Sequence, residues 1–217
     1  MEAKELYQTR FKEYERSQKS AVWKVLCNHF FQKYVASDAV VLDVGAGYCE
    51  FINNIQCKKK YAVDLNEDTI NFAHSDVEVF NCSSTNLGFL PNNSIDVVFM
   101  SNFFEHLNSK DEIIGTLKEA YRVLKSEGHI MILQPNIKFL YKDYWDFFDH
   151  NIPLSDKSMA EVLQCTGFEI NKVLPKFLPY TTKSKIPKNL FLIRFYLKFP
   201  FIWKILGKQM VIIASKK

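Results

Sequence analysis

The stretch Ala39-Val40-Val41-Leu42-Asp43-Val44-Gly45-Ala46-Gly47 decides the fold of this 217-residue chain. Its first six residues are apolar except for Asp43 and rich in β-branched side chains, the composition of a strand buried on both faces. It then runs into two glycines, where a backbone can turn sharply and come close to a ligand without Cβ obstruction. Strands of this kind belong to parallel sheets, whose neighbours need long crossovers. The chain supplies them. Tyr61–Asp64, Val77–Phe80, Ile95–Met100, His129–Leu133, Phe168–Leu174 and Met210–Ser215 read as further strands. Helical patterns run between them, around Glu50–Ile55, Glu67–His74, Ser109–Leu124 and Leu154–Gly167. Ser109 with Glu112 three residues on is a helix start, and Gly128 lies beyond the far end. This alternation predicts an α/β class, a doubly wound Rossmann-like sheet covered on both faces.

Outward from that core, residues 1–36 read as a helical cap, with Tyr7, Phe11 and Tyr14, then Val22, Leu26, Phe30 and Phe31, at helical spacing. The single domain then comprises the cap, a ligand-binding core (37–174), an insert (175–209) and a last strand (210–217). Five cysteines (Cys27, Cys49, Cys57, Cys82, Cys165), odd in number and without a CxxC pair, suggest neither a disulfide framework nor a zinc knuckle. The first residues are charged and polar, unlike a secretory signal. The apolar run Leu190–Leu206 is broken by Arg194, Lys198, Pro200 and Lys204 and is not expected to span a bilayer. A cytoplasmic location is expected, with peripheral contact at the inner membrane face as the alternative.

The net charge of +4 conceals an asymmetry. Residues 170–217 hold eleven Lys or Arg and no acid, so the remainder carries 28 − 11 = 17 basic against 24 acidic residues, a net of −7.

In open α/β sheets ligands sit beyond the carboxyl ends of the strands, where strand order reverses. Asp64 closes the second strand seventeen residues past Gly47 and can receive both hydroxyls of a ribose. Asp43 can accept from a ligand ammonium. A dinucleotide fold wants a third small residue three positions after the second glycine. Here that position is Glu50, which a pyrophosphate would repel, so hydride transfer is disfavoured.

VVLDVGAGYCEF resembles motif I of class I S-adenosylmethionine-dependent methyltransferases, and YAVDLNED their ribose-binding segment. LPNNSIDVVFMSNFFEHL is similar to their fourth strand, and LKEAYRVLKSEGHIMILQPN to the helix and strand that follow. The resemblance covers residues 20–175 and the final strand. It implies a sheet of order 3-2-1-4-5-7-6 with strand seven antiparallel, S-adenosyl-L-methionine as cofactor and S-adenosyl-L-homocysteine as product. Carried over by motif, Asp43, Gly45, Ala46 and Gly47 would face the methionine part and Asp64 and Leu65 the nucleoside. Cys82 and Ser83 would stand near the adenine, where the family often has an acid. Ser101 and Asn102 would border the transferred methyl group.

Methyl transfer needs collinear reactants above all, and a base only where the nucleophile must lose a proton. His106, after strand four, and His150, after strand five, are the catalytic candidates; packed or capping roles are the alternative for both. Asp143, Asp146, Asp149 and His150 match no dedicated metal loop, and no metal is expected. Ser101-Asn102-Phe103-Phe104 lacks the two prolines of enzymes that methylate amino groups of nucleobases, so O-methylation is expected. The resemblance to methyltransferases with a similar tail section implies a small-molecule acceptor, such as a saccharide or lipid-linked precursor.

In the insert, Pro187 and Pro200 suit the first turns of short helices. Arg194, Lys198, Lys204 and Lys208 fall on one stripe, opposite or beside Phe191, Phe195, Phe201 and Trp203. Two readings stay open: a lid whose aromatics pack on the body, or a peripheral membrane contact through residues 187–208. Nucleic acid is not an expected partner, and the oligomeric state is not legible. The rival to an enzyme is a non-catalytic, membrane-associated module that retains the fold.

Overall fold

The computed structural model describes residues 13–180 and 189–217, with side chains from residue 18 onward. In chain order it contains α1 (Glu13–His29), β1 (Val40–Val44), β2 (Lys59–Asp64), β3 (Val77–Asn81), β4 (Ile95–Ser101) and α2 (Lys110–Val123). There follow β5 (Leu124–Pro135), α3 (Ile137–Leu140), α4 (Asp156–Cys165), β6 (Phe168–Leu174), α5 (Leu190–Lys198), α6 (Pro200–Leu206) and β7 (Gln209–Lys216). Tyr7, Phe11 and Pro187 lie outside the described residues, as does the side chain of Tyr14.

All seven strands join one sheet in the order β3-β2-β1-β4-β5-β7-β6. The pairs β1–β2, β1–β4, β2–β3 and β4–β5 are parallel, while β7 runs antiparallel to β5 and β6. The expected topology is the observed one. Because side chains alternate along a strand, each inner strand feeds two cores. Val41, Val97, Phe99, Met131 and Ile213 face one side, packed with Trp23, Phe30, Phe31, Phe51 and Phe177. Leu42, Val98, Met100, Ile130 and Ile212 face the other, against Ile113, Leu117 and Ala120 of α2 and Met159 and Leu163 of α4. Ser109 caps α2, its hydroxyl accepting from the Glu112 amide at 3.2 Å.

Three elements differ from expectation. Residues 47–55 form successive turns instead of a helix. Gly47 (φ +50°) and Cys49 (φ +57°) both adopt left-handed backbone, which delays helical geometry until only two i→i+4 bonds can form, Asn53 to Cys49 and Ile55 to Phe51. The helix expected over 67–74 is a short 3-10 turn, Glu67–Asn71. Strand β5 begins five residues early because Leu124 already pairs with Ile95, and the Lys125 ammonium sits 2.8 Å from the Asp96 carboxylate.

Candidate active site

The order of the sheet reverses between β1 and β4, and their carboxyl ends define the rim at which the candidate residues meet. Leaving β1, the chain crosses toward β2: the amides of Gly45 and Ala46 both donate to the Val63 carbonyl, at 2.8 and 3.2 Å. That crossing delivers the Gly47 amide to Oδ2 of Asp64 at 2.7 Å, while Oδ1 accepts from Asn66 at 2.8 Å. The loop after the first strand and the acid closing the second are therefore in direct contact.

The two glycines have different reasons to be glycine. At Gly45 (φ +70°) a Cβ would stand 2.4 Å from Cδ2 of Phe103, whose ring covers the backbone. At Gly47 (φ +50°) a Cβ would meet nothing within 4 Å, so only backbone conformation and open space mark the position.

Charge accumulates beneath this loop. Asp43 is only 3% exposed and accepts from the Ile52 amide. Burial pushes its carboxyl well above the ordinary range, and the nearby Glu50 and Asp64 charges add to the shift. Glu50 pairs with the Lys19 ammonium at 2.9 Å. On the opposite side of the rim, Asn102 adopts φ +47°, and its amide nitrogen donates to the Ser101 hydroxyl at 3.0 Å. Its Oδ1 is buried and has no hydrogen-bond partner among the described residues. Leu65, next to Asp64, is 71% exposed. Cys82 is half-buried, and Ser83 shares a hydrogen bond with Thr85 at 2.8 Å.

His106 and His150 are brought together with their ring centroids 5.3 Å apart. His106 belongs to the 3-10 turn Phe104–His106, and its Nδ1 lies 3.0 Å from the Asp149 carbonyl. A carbonyl can only accept, so Nδ1 carries a proton, and in the neutral form of the ring Nε2 is the acceptor. Nε2 faces Oε1 of the buried Glu105 at 3.8 Å. Burial pushes the Glu105 carboxyl up, opposed by His106, the backbone and the Gln134 amide, while Asp149 adds to the rise. The carboxylate of Asp149 also approaches His106, 3.3 Å from Nδ1. His150 is buried between Phe147, stacked on it at 4.9 Å, and Tyr144 at 4.6 Å. Asn151 locks this loop to the turn, its backbone amide donating to the Glu105 carbonyl at 2.7 Å.

Comparison with known proteins converges on one family. Residues 42–132 match the model of a methyltransferase domain. An S-adenosylmethionine-dependent methyltransferase from Archaeoglobus fulgidus is 25% identical over 89% of this chain and 92% of its own, with a TM-score of 0.66. Over residues 42–132 the chain carries a methyltransferase domain, and it has the fold of S-adenosylmethionine-dependent methyltransferases. One from Thermotoga maritima superposes with TM-score 0.67 at 20% identity, covering 94% of this chain and 95% of its own. The [4+2]-cyclase SpnF shares the fold at 14% identity and TM-score 0.64, over 89% of this chain and 80% of its own. The fold by itself therefore does not dictate the reaction. No curated relative matches the sequence.

The rim fits S-adenosylmethionine. That cofactor carries a cationic sulfonium and ammonium, suited to a buried acid among carboxylates and to an acceptor with no donor among the described residues. The exposed Leu65 offers an apolar surface beside Asp64.

Sequence reasoning missed four contributors. Asn81 ends β3, and its amide nitrogen donates to the carbonyls of Asp64 and Leu65 at 3.1 and 2.8 Å, holding the turn that presents the acid. Phe103 covers Gly45. Glu105 and Gln134 lie beneath His106, with Gln134 Nε2 donating to Oε2 of Glu105 at 2.5 Å. An amide at the Asn81 position is a signal only once β3 is known to lie beside β2.

The insert divides in two. Pro200 opens α6 after Phe199 ends α5, so the stripe is broken and Lys208 leaves it to pair with Asp143 at 3.0 Å. Trp203 packs inward on Phe30 and Phe177, and its indole donates to the Tyr196 carbonyl at 2.7 Å. Phe191, Phe195, Phe199, Phe201 and Ile205 point outward. No helix among the described residues is long and apolar enough to cross a membrane.

Proposed function

We propose that this methyltransferase methylates a hydroxyl of a small molecule, a saccharide or a lipid-linked precursor. The carrying observation is the hydrogen bond of His106: with Nδ1 committed to the Asp149 carbonyl, Nε2 of the neutral ring is the atom that can take a proton from a hydroxyl. Its side chain is 25% exposed, enough to be reached. Asp64 would hold the ribose and Leu65 the adenine, with Cys82 and Ser83 at its edge. Gly47 and Asp43 would receive the methionine portion, alongside Gly45 and Ala46, and Asn102 Oδ1 its ammonium, next to Ser101. The cofactor supplies an electrophilic methyl group on sulfur and leaves as S-adenosylhomocysteine. His150 fixes the position of His106 by ring contact.

Calorimetry with S-adenosylmethionine tests the first half. Asp64→Asn removes a charged acceptor worth about 1.5–3 kcal/mol, so affinity should fall roughly 10–100-fold. Unchanged binding, or no binding to the wild-type chain, refutes it and favours a non-catalytic module. His106→Gln should leave cofactor affinity intact while lowering turnover of a hydroxyl acceptor by about 100-fold. Equal turnover would remove His106 from the chemistry.

The outward face of α5 and α6 favours an acceptor or location at an anionic membrane surface, the cytoplasmic leaflet. Phe191, Phe201 and Ile205 are 73%, 62% and 72% exposed and lie among Arg194, Lys198 and Lys204, with no acid in either helix. Flotation with phosphatidylglycerol vesicles should retain the wild-type protein and release a Phe191→Ser, Phe201→Ser, Ile205→Ser variant. Equal flotation of the two rejects the membrane contact.

A further inference from the structure

We propose that Glu105, His106 and His150 form a binding site for a divalent first-row transition ion, such as Mn2+ or Zn2+. Each residue offers one ligand atom, and the three atoms lie within 4.8 Å of one another. They come from two segments far apart in sequence, the turn after β4 and the loop after β5, so neither spacing nor periodicity announces them.

Two features separate the cluster from a chance meeting of side chains. The first is orientation through outer atoms. His106 is held by its Nδ1 on the Asp149 carbonyl at 3.0 Å, and Glu105 by its Oε2, which accepts from Gln134 at 2.5 Å. In both cases the atom left facing the cluster is the one a metal takes, the arrangement by which outer partners aim metal ligands. The second is spacing. Nε2 of His106 and Oε1 of Glu105 face each other at 3.8 Å, too far for a hydrogen bond between them. A cation between them would engage both atoms and offset the cost of burying a carboxylate at Glu105.

Two imidazoles and one carboxylate favour a borderline ion over Ca2+ or Mg2+, which prefer oxygen, and leave coordination positions open. The half-buried His106 provides access, while His150 and Glu105 are buried. Phe103, which covers Gly45, precedes Glu105 by two residues, so the site lies on the same rim as the cofactor loop. An ion there would bind an acceptor hydroxyl and lower its pKa, as it does for bound water. This use rests on the O-methylation reading: the ion would occupy Nε2, and the hydroxyl's proton would leave to solvent instead of to His106; the binding site itself does not depend on it.

Full-length protein freed of metal with a chelator is titrated with Co2+, and separately with Mn2+, while S-adenosylmethionine binding is followed in parallel by calorimetry. One equivalent of Co2+ should produce visible d–d bands, and bound Mn2+ should show spin-echo modulation from imidazole nitrogen. Glu105→Gln and His150→Ala should each weaken binding at least about 10-fold, with circular dichroism and cofactor affinity unchanged. Should a variant fail to fold, the nitrogen modulation of the wild-type protein still decides. Absence of stoichiometric uptake, a thiolate charge-transfer band from the free cysteines, or uptake without nitrogen modulation overturns the site. Cofactor binding without metal uptake sinks this proposal alone, and metal uptake without cofactor binding sinks the methyltransfer reading alone.

Discussion

Replacing Gly45 by alanine isolates what the loop after β1 demands. Two costs add. A non-glycine residue at φ +70° costs about 1–2 kcal/mol. The new Cβ would also lie 2.4 Å from Cδ2 and 2.9 Å from Cγ of Phe103. Rotating the ring relieves this only in part, because Cβ of Phe103 would still be 3.2 Å away. Overpacking of this kind costs about 1–3 kcal/mol. A total near 3 kcal/mol should lower Tm by roughly 6–12 °C for a domain of this size. Gly47→Ala supplies the control: φ is +50°, but the Cβ enters open space, so about 1–2 kcal/mol is expected. Urea unfolding followed by circular dichroism measures both, and adding Phe103→Ala completes a double-mutant cycle. The cycle should show a coupling of about 1–2 kcal/mol between positions 45 and 103 and none between 47 and 103. Equal losses at the two glycines, or additive effects of Gly45→Ala and Phe103→Ala, would refute the idea that Phe103 dictates Gly45.

Asp43 predicts a pH dependence. Its carboxyl titrates in the folded state well above its ordinary 3.8, so its contribution to stability is fully present below that value and is lost as pH rises through the raised one. Asp43→Asn should therefore compare more favourably with the wild type as pH increases, in urea unfolding without cofactor. Binding of the cationic cofactor should favour the ionised form and release protons, read by calorimetry in buffers of different ionisation enthalpy; no proton release would contradict the placement of Asp43. Trp203→Ala should cost about 3–5 kcal/mol, since the ring fills a core with Phe30 and Phe177. Phe201→Ala, on the exposed side of the same helix, should stay within about 0.5 kcal/mol, and similar losses at both positions would contradict the inward–outward division. Asn81→Ala should weaken cofactor binding by roughly 5–10-fold through the freed Asp64–Leu65 turn while leaving the β2–β3 pairing intact, and unchanged calorimetric affinity would deny it a positioning role.

What the chain alone determined is local. Strand composition, the glycines after β1 and the acid ending β2 follow from short-range rules: alternation of side chains, the steric freedom of glycine and the capping chemistry of Ser109. Those rules gave only an alternation of strands and helices, hence a parallel sheet covered on both faces; the strand order came from the resemblance of the motifs to a known family. The rules failed where two conflicting backbone demands met, at residues 47–55, where left-handed Gly47 and Cys49 displaced the expected helix. Tertiary structure alone decided which distant residues share a space. It set Phe103 over Gly45, Asn81 behind Asp64, and Glu105, His106 and His150 within reach of one another. It also turned Trp203 inward and Phe191, Phe201 and Ile205 outward, a choice one helical wheel could not make once Pro200 broke it. The physical reason is range: conformational preference acts over a few neighbours, whereas contact between segments depends on how the whole sheet is wound.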